Sequence, residues 1–140
     1  MEIEKKYLVS HIPDNLDEFH CRHIEQGYLS TNPVVRVRRD NDKYNLPLTM
    51  ESYEHLIKKA DGNIISKKRY ELPDSSGHTI ELDIFEGVFE GTVLAEVEFS
   101  TVEEADNYIA PDFFIKDVTN DSEYHNSNMS KKRFDQWKDY

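Results

Sequence analysis

The chain has 140 residues, so a single domain over residues 1–140, built around one core, is the expectation. Seventeen Lys and Arg against 28 Asp and Glu leave a net charge of −11, which argues against a nucleic-acid binder and confines any anion site to a local basic pocket. No apolar run approaches the roughly 20 residues that span a bilayer, residues 1–15 lack a signal-peptide core, and the lone Cys21 excludes an internal disulfide or a Cys-based zinc site, so a soluble, cytoplasmic monomer or homodimer with no membrane partner is expected.

Residues 2–9 read as a strand with charges at every second place, and Leu16 and Phe19 mark a short helix after Pro13. Ile24 to Ser30 and Val34 to Arg39 form a hairpin about Thr31-Asn32-Pro33, followed by a turn at Asp40-Asn41-Asp42. From Thr49 the period changes: Tyr53, Leu56, Ile57 and Ala60 share a helix face, with Gly62 placed to stop it. Strands follow at Asn63 to Leu72, Thr79 to Phe85 and Thr92 to Phe99. Thr101 and Glu104 form a capping box for a helix over Val102, Ala105 and Tyr108 that stops before Pro111. A strand around Phe113 to Val118 and a helix around Met129 to Trp137 complete the chain, giving an α+β fold with a mostly antiparallel sheet.

The chemistry lies in which strand faces are charged. Residues two apart share a face, so Glu2, Glu4 and Lys6 align, as do Arg36 with Arg38, Lys67 with Arg69, Glu81 with Asp83, and Glu96 with Glu98. The opposite faces are apolar at Val35 and Val37, at Ile80, Leu82 and Ile84, and at Val93, Ala95, Val97 and Phe99. A solvated sheet would carry mixed signs, whereas these pairs are segregated, and adjacent like charges repel unless something neutralises them. Clustered carboxylates suit Mg²⁺ or Mn²⁺; clustered guanidinium and ammonium groups suit a polyphosphate. A closed antiparallel barrel with its charges inward and helices outside supplies both. The six histidines show no metal-binding spacing, and five glycines form no phosphate loop.

The opening Glu2-Ile3-Glu4-Lys5-Lys6 resembles the Glu-x-Glu-x-Lys signature of the CYTH superfamily, the triphosphate tunnel metalloenzymes. Glu25-Gln26-Gly27-Tyr28-Leu29, Val35-Arg36-Val37-Arg38, Ile65 to Tyr70, Ile80 to Phe85, Leu94 to Phe99 and Lys116-Asp117-Val118-Thr119 resemble the family's later blocks, in order, over nearly the whole chain. The likeness is to the short single-domain bacterial branch. It implies an eight-stranded antiparallel β-barrel, or tunnel, with helices packed outside, and metal-dependent hydrolysis of inorganic triphosphate or a related triphosphate. Thiamine triphosphatase, adenylate cyclase and a non-catalytic polyphosphate-binding module are the alternatives.

Carried over by residue, the resemblance implies that Lys6, Arg36, Arg38, Lys67 and Arg69 grip phosphate oxygens, with Lys116 at one mouth. Glu2, Glu4, Asp83, Glu96 and Glu98 hold Mg²⁺ or Mn²⁺, and Glu81 is a ligand or an ion-pair partner. Tyr28 is the base that activates water or a packed aromatic of the tunnel wall; a free phenol near pKa 10 becomes a useful base only beside cations. One departure stands out. Where the family runs through a further hairpin carrying an inward lysine, this chain passes from Lys43-Tyr44 to Asn45-Leu46-Pro47-Leu48 and the helix. Either the barrel is short of that hairpin, or residues between Tyr44 and Asn45 are missing from the sequence.

Overall fold

The computed structural model of the chain describes residues 3–31, 33–45 and 48–131. The strands are β1 (Ile3–Val9), β2 (Cys21–Thr31), β3 (Val34–Asp40), β4 (Lys43–Tyr44), β5 (Ile65–Pro73), β6 (Thr79–Glu86), β7 (Val93–Phe99) and β8 (Phe114–Asp117), with helices α1 (Met50–Ile57), α2 (Val102–Asp106) and α3 (Asn126–Lys131). Leu16–Glu18, Gly87–Phe89 and Ser122–Tyr124 form single 3₁₀ turns. The start of the expected C-terminal helix falls in α3; its continuation to Trp137 lies outside the described residues, as does Glu2.

The eight strands form one antiparallel sheet in the order β4-β3-β2-β5-β6-β7-β1-β8. The eight-stranded expectation holds, but among the described residues hydrogen bonding does not close the sheet, and β4 and β8 are its ends. Two compact units divide the chain, one of residues 1–21, 69–84 and 93–121, the other of residues 22–68, 85–92 and 122–140. Strands β5 and β6 run through both.

In the first unit the strand period of two separates two buried faces. Tyr7, Ile80, Leu82, Ala95, Val97 and Phe99 form the apolar core with Leu16, Leu72 and Ala105, the last contributed by α2. Thr101 caps α2 by accepting from the Glu104 backbone N–H at 3.1 Å, while Glu104 reaches back to the Ser100 N–H at 2.9 Å rather than to the cap itself. The helix is shorter than its apolar spacing suggests. It ends at Asp106, and Tyr108 leaves it to join an aromatic cluster with Tyr7, His78 and Phe99.

In the second unit α1 starts from a complete capping box: Thr49 Oγ1 accepts from the Ser52 N–H at 3.2 Å and Ser52 Oγ accepts from the Thr49 N–H at 2.8 Å. Its one fully buried side chain, Tyr53, donates its hydroxyl to Glu25 at 2.8 Å and packs against Tyr44. The close approach of this helical segment to β2 depends on Gly27, where a Cβ would lie 2.7 Å from Ile57 Cδ1 and 2.8 Å from Ala60 Cβ. Gly62 is held at φ +87°, where a Cβ would meet the Ser130 carbonyl, so only glycine fits that corner.

The edge next to β3 is short. Strand β4 pairs only Lys43 and Tyr44 with β3, and beyond it Asn45 takes over the exposed edge. The Arg38 N–H donates to Asn45 Oδ1 at 2.8 Å and the Asn45 N–H donates to the Arg38 carbonyl at 3.2 Å. A β-bulge between Tyr28 and Ser30 shifts the β2–β3 register, so Val35 pairs with Ser30 near the hairpin tip and is exposed, while Val37 is buried as expected.

Gly27→Ala should destabilise the chain by about 1–3 kcal/mol, because the Ala60 Cβ cannot rotate out of the way. Urea denaturation checks this; a loss below about 0.5 kcal/mol would show that α1 yields without strain.

Candidate active site

In the first unit, register places the charged rows side by side. Glu4 faces Glu98 and Lys6 faces Glu96 across β1–β7, and Glu81 faces Glu96 across β6–β7. Directly opposed residues of an antiparallel pair project from the same face, so these side chains line one wall. Arg69 is its centre: Nε and Nη2 bind both oxygens of Asp83 at 2.7 and 2.8 Å, Nη1 reaches Glu81 at 3.2 Å and Nη2 reaches Glu96 at 3.3 Å. Lys6 Nζ lies 3.7 Å from Glu96. Lys6, Arg69, Asp83 and Glu96 are all buried, so this face is no solvated surface.

The wall is unbalanced, with two cations, Lys6 and Arg69, among five carboxylates, Glu4, Glu81, Asp83, Glu96 and Glu98. Desolvation and then the Glu96 and Glu98 charges push the Glu4 carboxyl up to about 7, against the opposing pull of Lys6 and Arg69. Glu81 is also raised, first by desolvation, with Arg69 pulling it down and Glu96, Glu98 and Asp83 pushing it up. Desolvation works against the Arg69 charge, but Asp83, then Glu96 and Glu81, overcome it and raise the guanidinium further. A polar cleft of about 370 Å³ opens beside Glu71, Thr79, Glu81 and Glu98. The larger cleft of this unit, about 910 Å³, is lined by residues such as Phe19, Leu72, Ile80, Tyr108 and Phe113 and shares no residue with the charged rows.

The second unit holds a basic face. Tyr28 faces Arg36 and Gln26 faces Arg38 across β2–β3, so all four share the face opposite Gly27. Tyr28 and Gln26 are buried. Asp40 takes Arg22 at 2.7 Å and lies 3.7 Å from Arg38, whereas Arg36 is exposed and has no ion pair among the described residues. On β5, Lys67 is 2% exposed and its ammonium sits 5.2 Å from the centre of the Phe85 ring. In the first unit, Lys116 is exposed on β8, opposite Leu8.

Two Ser-His-acid contacts elsewhere lack nucleophile geometry. Ser76 bridges Asp74 and His78 through its own hydroxyl, and His23 turns a single nitrogen, Nε2, toward both Ser66 and Glu86. Neither histidine stands between a serine and a carboxylate.

No family model matches the chain. It is 33% identical over 149 aligned positions to an inorganic triphosphatase of Nitrosomonas europaea, covering 92% of this chain and 96% of that protein. The chain belongs to the triphosphate tunnel metalloenzyme, or CYTH, superfamily. It is also 32% identical over 159 positions to an inorganic triphosphatase of Acetivibrio thermocellus, covering 99% of this chain and 98% of that protein. That alignment is longer than the 140-residue chain, so the relative carries residues that the sequence here lacks. The crystal structure of the inorganic triphosphatase NE1496 matches with a TM-score of 0.83 and 30% identity, over 95% of this chain and 96% of that one.

For a tunnel metalloenzyme the wall offers oxygen donors only and a surplus of negative charge, which is the chemistry Mg²⁺ or Mn²⁺ takes. Among the described residues no three carboxylates converge as a preformed metal cluster. Glu96 is drawn toward Lys6 and Arg69, and Asp83 commits both oxygens to Arg69. Glu81 pairs with Arg69 at 3.2 Å. Sequence reasoning assigns no role to Gln26, although it stands in the Glu25-Gln26-Gly27-Tyr28-Leu29 block two residues before Tyr28.

Removing one partner of a buried pair strands the other, at about 3–5 kcal/mol. Asp83→Ala should therefore lower stability by about that much, while Glu98→Gln at an exposed position should change it by less than about 0.5 kcal/mol. Urea titration of both variants compares them directly, and equal losses would show that Arg69 needs no buried partner.

Proposed function

We propose that this chain hydrolyses inorganic triphosphate to pyrophosphate and orthophosphate, acting as one tunnel domain. The observation that carries the reading is the segregation of sheet charge, an excess of carboxylates on the wall of the first unit and of arginines on the β2–β3 face of the second. Clustered arginines suit phosphate oxygens, and clustered carboxylates suit divalent cations. Lys6, Arg36, Arg38 and Lys67 bind phosphate oxygens, with Lys116 as an outer contact. Arg69 has committed four of its five N–H donors to Asp83, Glu81 and Glu96, so one remains for substrate and its main task is to brace the wall. Glu2, Glu4, Glu96 and Glu98 are the residues to hold Mg²⁺ or Mn²⁺, with Asp83 as the buried anchor of Arg69. A bound divalent cation supplies charge neutralisation at the non-bridging oxygens.

The step is attack of water on a terminal phosphorus. Its oxygen forms the new P–O bond as the bond to the bridging oxygen breaks, and pyrophosphate leaves with that electron pair. One water proton leaves by way of the Tyr28 hydroxyl, which takes it up as its own proton passes on to solvent, while the arginines hold the charge that spreads over the equatorial oxygens. Arg36 lies directly across from Tyr28 on the same face of the β2–β3 pair.

A panel of tripolyphosphate, thiamine triphosphate and ATP with Mg²⁺ or Mn²⁺, read for phosphate and cyclic nucleotide, tests the reading. Tripolyphosphate should be the preferred substrate. Arg36→Lys and Arg38→Lys should each cost about a hundredfold in kcat/KM, because lysine keeps the charge but loses the bidentate contact. Glu4→Gln and Glu96→Gln should abolish metal-dependent turnover. Binding of tripolyphosphate without turnover would identify a polyphosphate-binding module instead.

A further inference from the structure

Gln26 is the one residue of the β2–β3 face whose burial is unexplained by any partner. Its side chain is 1% exposed, and neither Oε1 nor Nε2 has a hydrogen-bond partner among the described residues. A buried carboxamide left unpaired lowers stability, so its presence in a sheet calls for a reason. The position supplies one. Gln26 lies two residues from Tyr28 on β2 and directly opposite Arg38 on β3, and Arg36 is directly opposite Tyr28. The amide, unpaired among the described residues, is therefore buried on the basic face, opposite Arg38 and two residues along β2 from the group read as base.

Resting on the triphosphatase reading, we infer that Gln26 is a further substrate-contacting residue, its Nε2 donating to a phosphate oxygen held by Arg38 and its Oε1 accepting from the attacking water. A carboxamide is the side chain that can do both at once, because it carries a donor and an acceptor on one rigid plane. A lysine or arginine at this place could donate to phosphate but could accept nothing from water. The bond changes are those of the hydrolysis itself, and Gln26 gains and loses no proton. In the ligand-free protein its hydrogen-bonding capacity stays unspent, and triphosphate with its water completes it.

The test uses Gln26→Met, which keeps the length of the side chain and removes both polar ends, and Gln26→Glu, which keeps the shape and removes the donor. Melting temperature, tripolyphosphate hydrolysis with Mg²⁺, and calorimetric binding of tripolyphosphate are measured for each. Gln26→Met should melt at or above the wild-type temperature while kcat/KM falls at least tenfold, and Gln26→Glu should bind tripolyphosphate more weakly than Gln26→Met. Wild-type kcat/KM in a folded Gln26→Met protein would overturn the assignment. Should Gln26→Met not fold, Gln26→Glu decides alone, and wild-type affinity in it would overturn the contact. Absence of turnover in the wild type would remove the triphosphatase reading but not the contact, because calorimetry still separates wild type from variants; equal affinities there would remove the contact as well.

Discussion

Burying the Arg69 guanidinium would cost several kcal/mol if its charge were not matched, and the way it is matched organises the carboxylate wall of the first unit. Asp83, itself fully buried, takes two parallel hydrogen bonds, and two further donors reach Glu81 on the same strand as Asp83 and Glu96 on the next. One cation on β5 thus ties three carboxylates on β6 and β7 into fixed places. The arrangement is asymmetric: Glu4 and Glu98 face each other with no such hydrogen bond among the described residues, and the Glu4 carboxyl is pushed up, first by desolvation and then by Glu96.

The second unit reaches the opposite imbalance through different means. Asp40 answers Arg22 and Arg38, but Arg36 stays unmatched among the described residues and Lys67 is buried against an aromatic ring. Aromatic packing tolerates a cation without neutralising it, since the ring quadrupole attracts the charge but carries none of its own. In the second unit Arg36 is thus a cation with no ion pair among the described residues, and in the first the carboxylates outnumber Lys6 and Arg69. Such residues reduce stability in the free protein, and ligand that binds only the folded chain restores it by mass action, by about 2.7 kcal/mol at a hundred times the dissociation constant.

Much of this was legible in the sequence because a strand has a period of two. The apolar rows Ile80 and Leu82, and Ala95, Val97 and Phe99, are buried as the alternation requires, and the charged rows opposite them share faces. Period alone gives faces and not registers, so it could align Glu96 with Glu98 along β7 but could not set Glu4 against Glu98 or Lys6 against Glu96. For the same reason Arg69 and Asp83 read as two members of two rows, one for phosphate and one for metal, when the fold joins them to each other. Val35 escaped the pattern because the bulge after Tyr28 adds a residue that only pairing reveals. Tyr108 left its helix because an aromatic cluster on the sheet offered more burial than another helical turn.

Strand β2 shows how packing reaches the site without touching it. Gly27 and Tyr28 are neighbours, so they point to opposite faces of the same strand. On the Gly27 side the α1 segment comes so close that a single methyl group would collide with Ile57 and Ala60. Contact on that side fixes the depth and rotation of β2, and that rotation decides how far Gln26 and Tyr28 project on the other side. The Asp61 N–H adds a second anchor, donating to the Tyr28 carbonyl at 2.7 Å from the loop that follows α1. A change in that loop or in the apolar seam under α1 would therefore act on the basic face through the strand between them, with its own side chains nowhere near a phosphate. Aiming of this kind is what a catalytic group requires, since a displacement of about 1 Å can cost a hundredfold in rate.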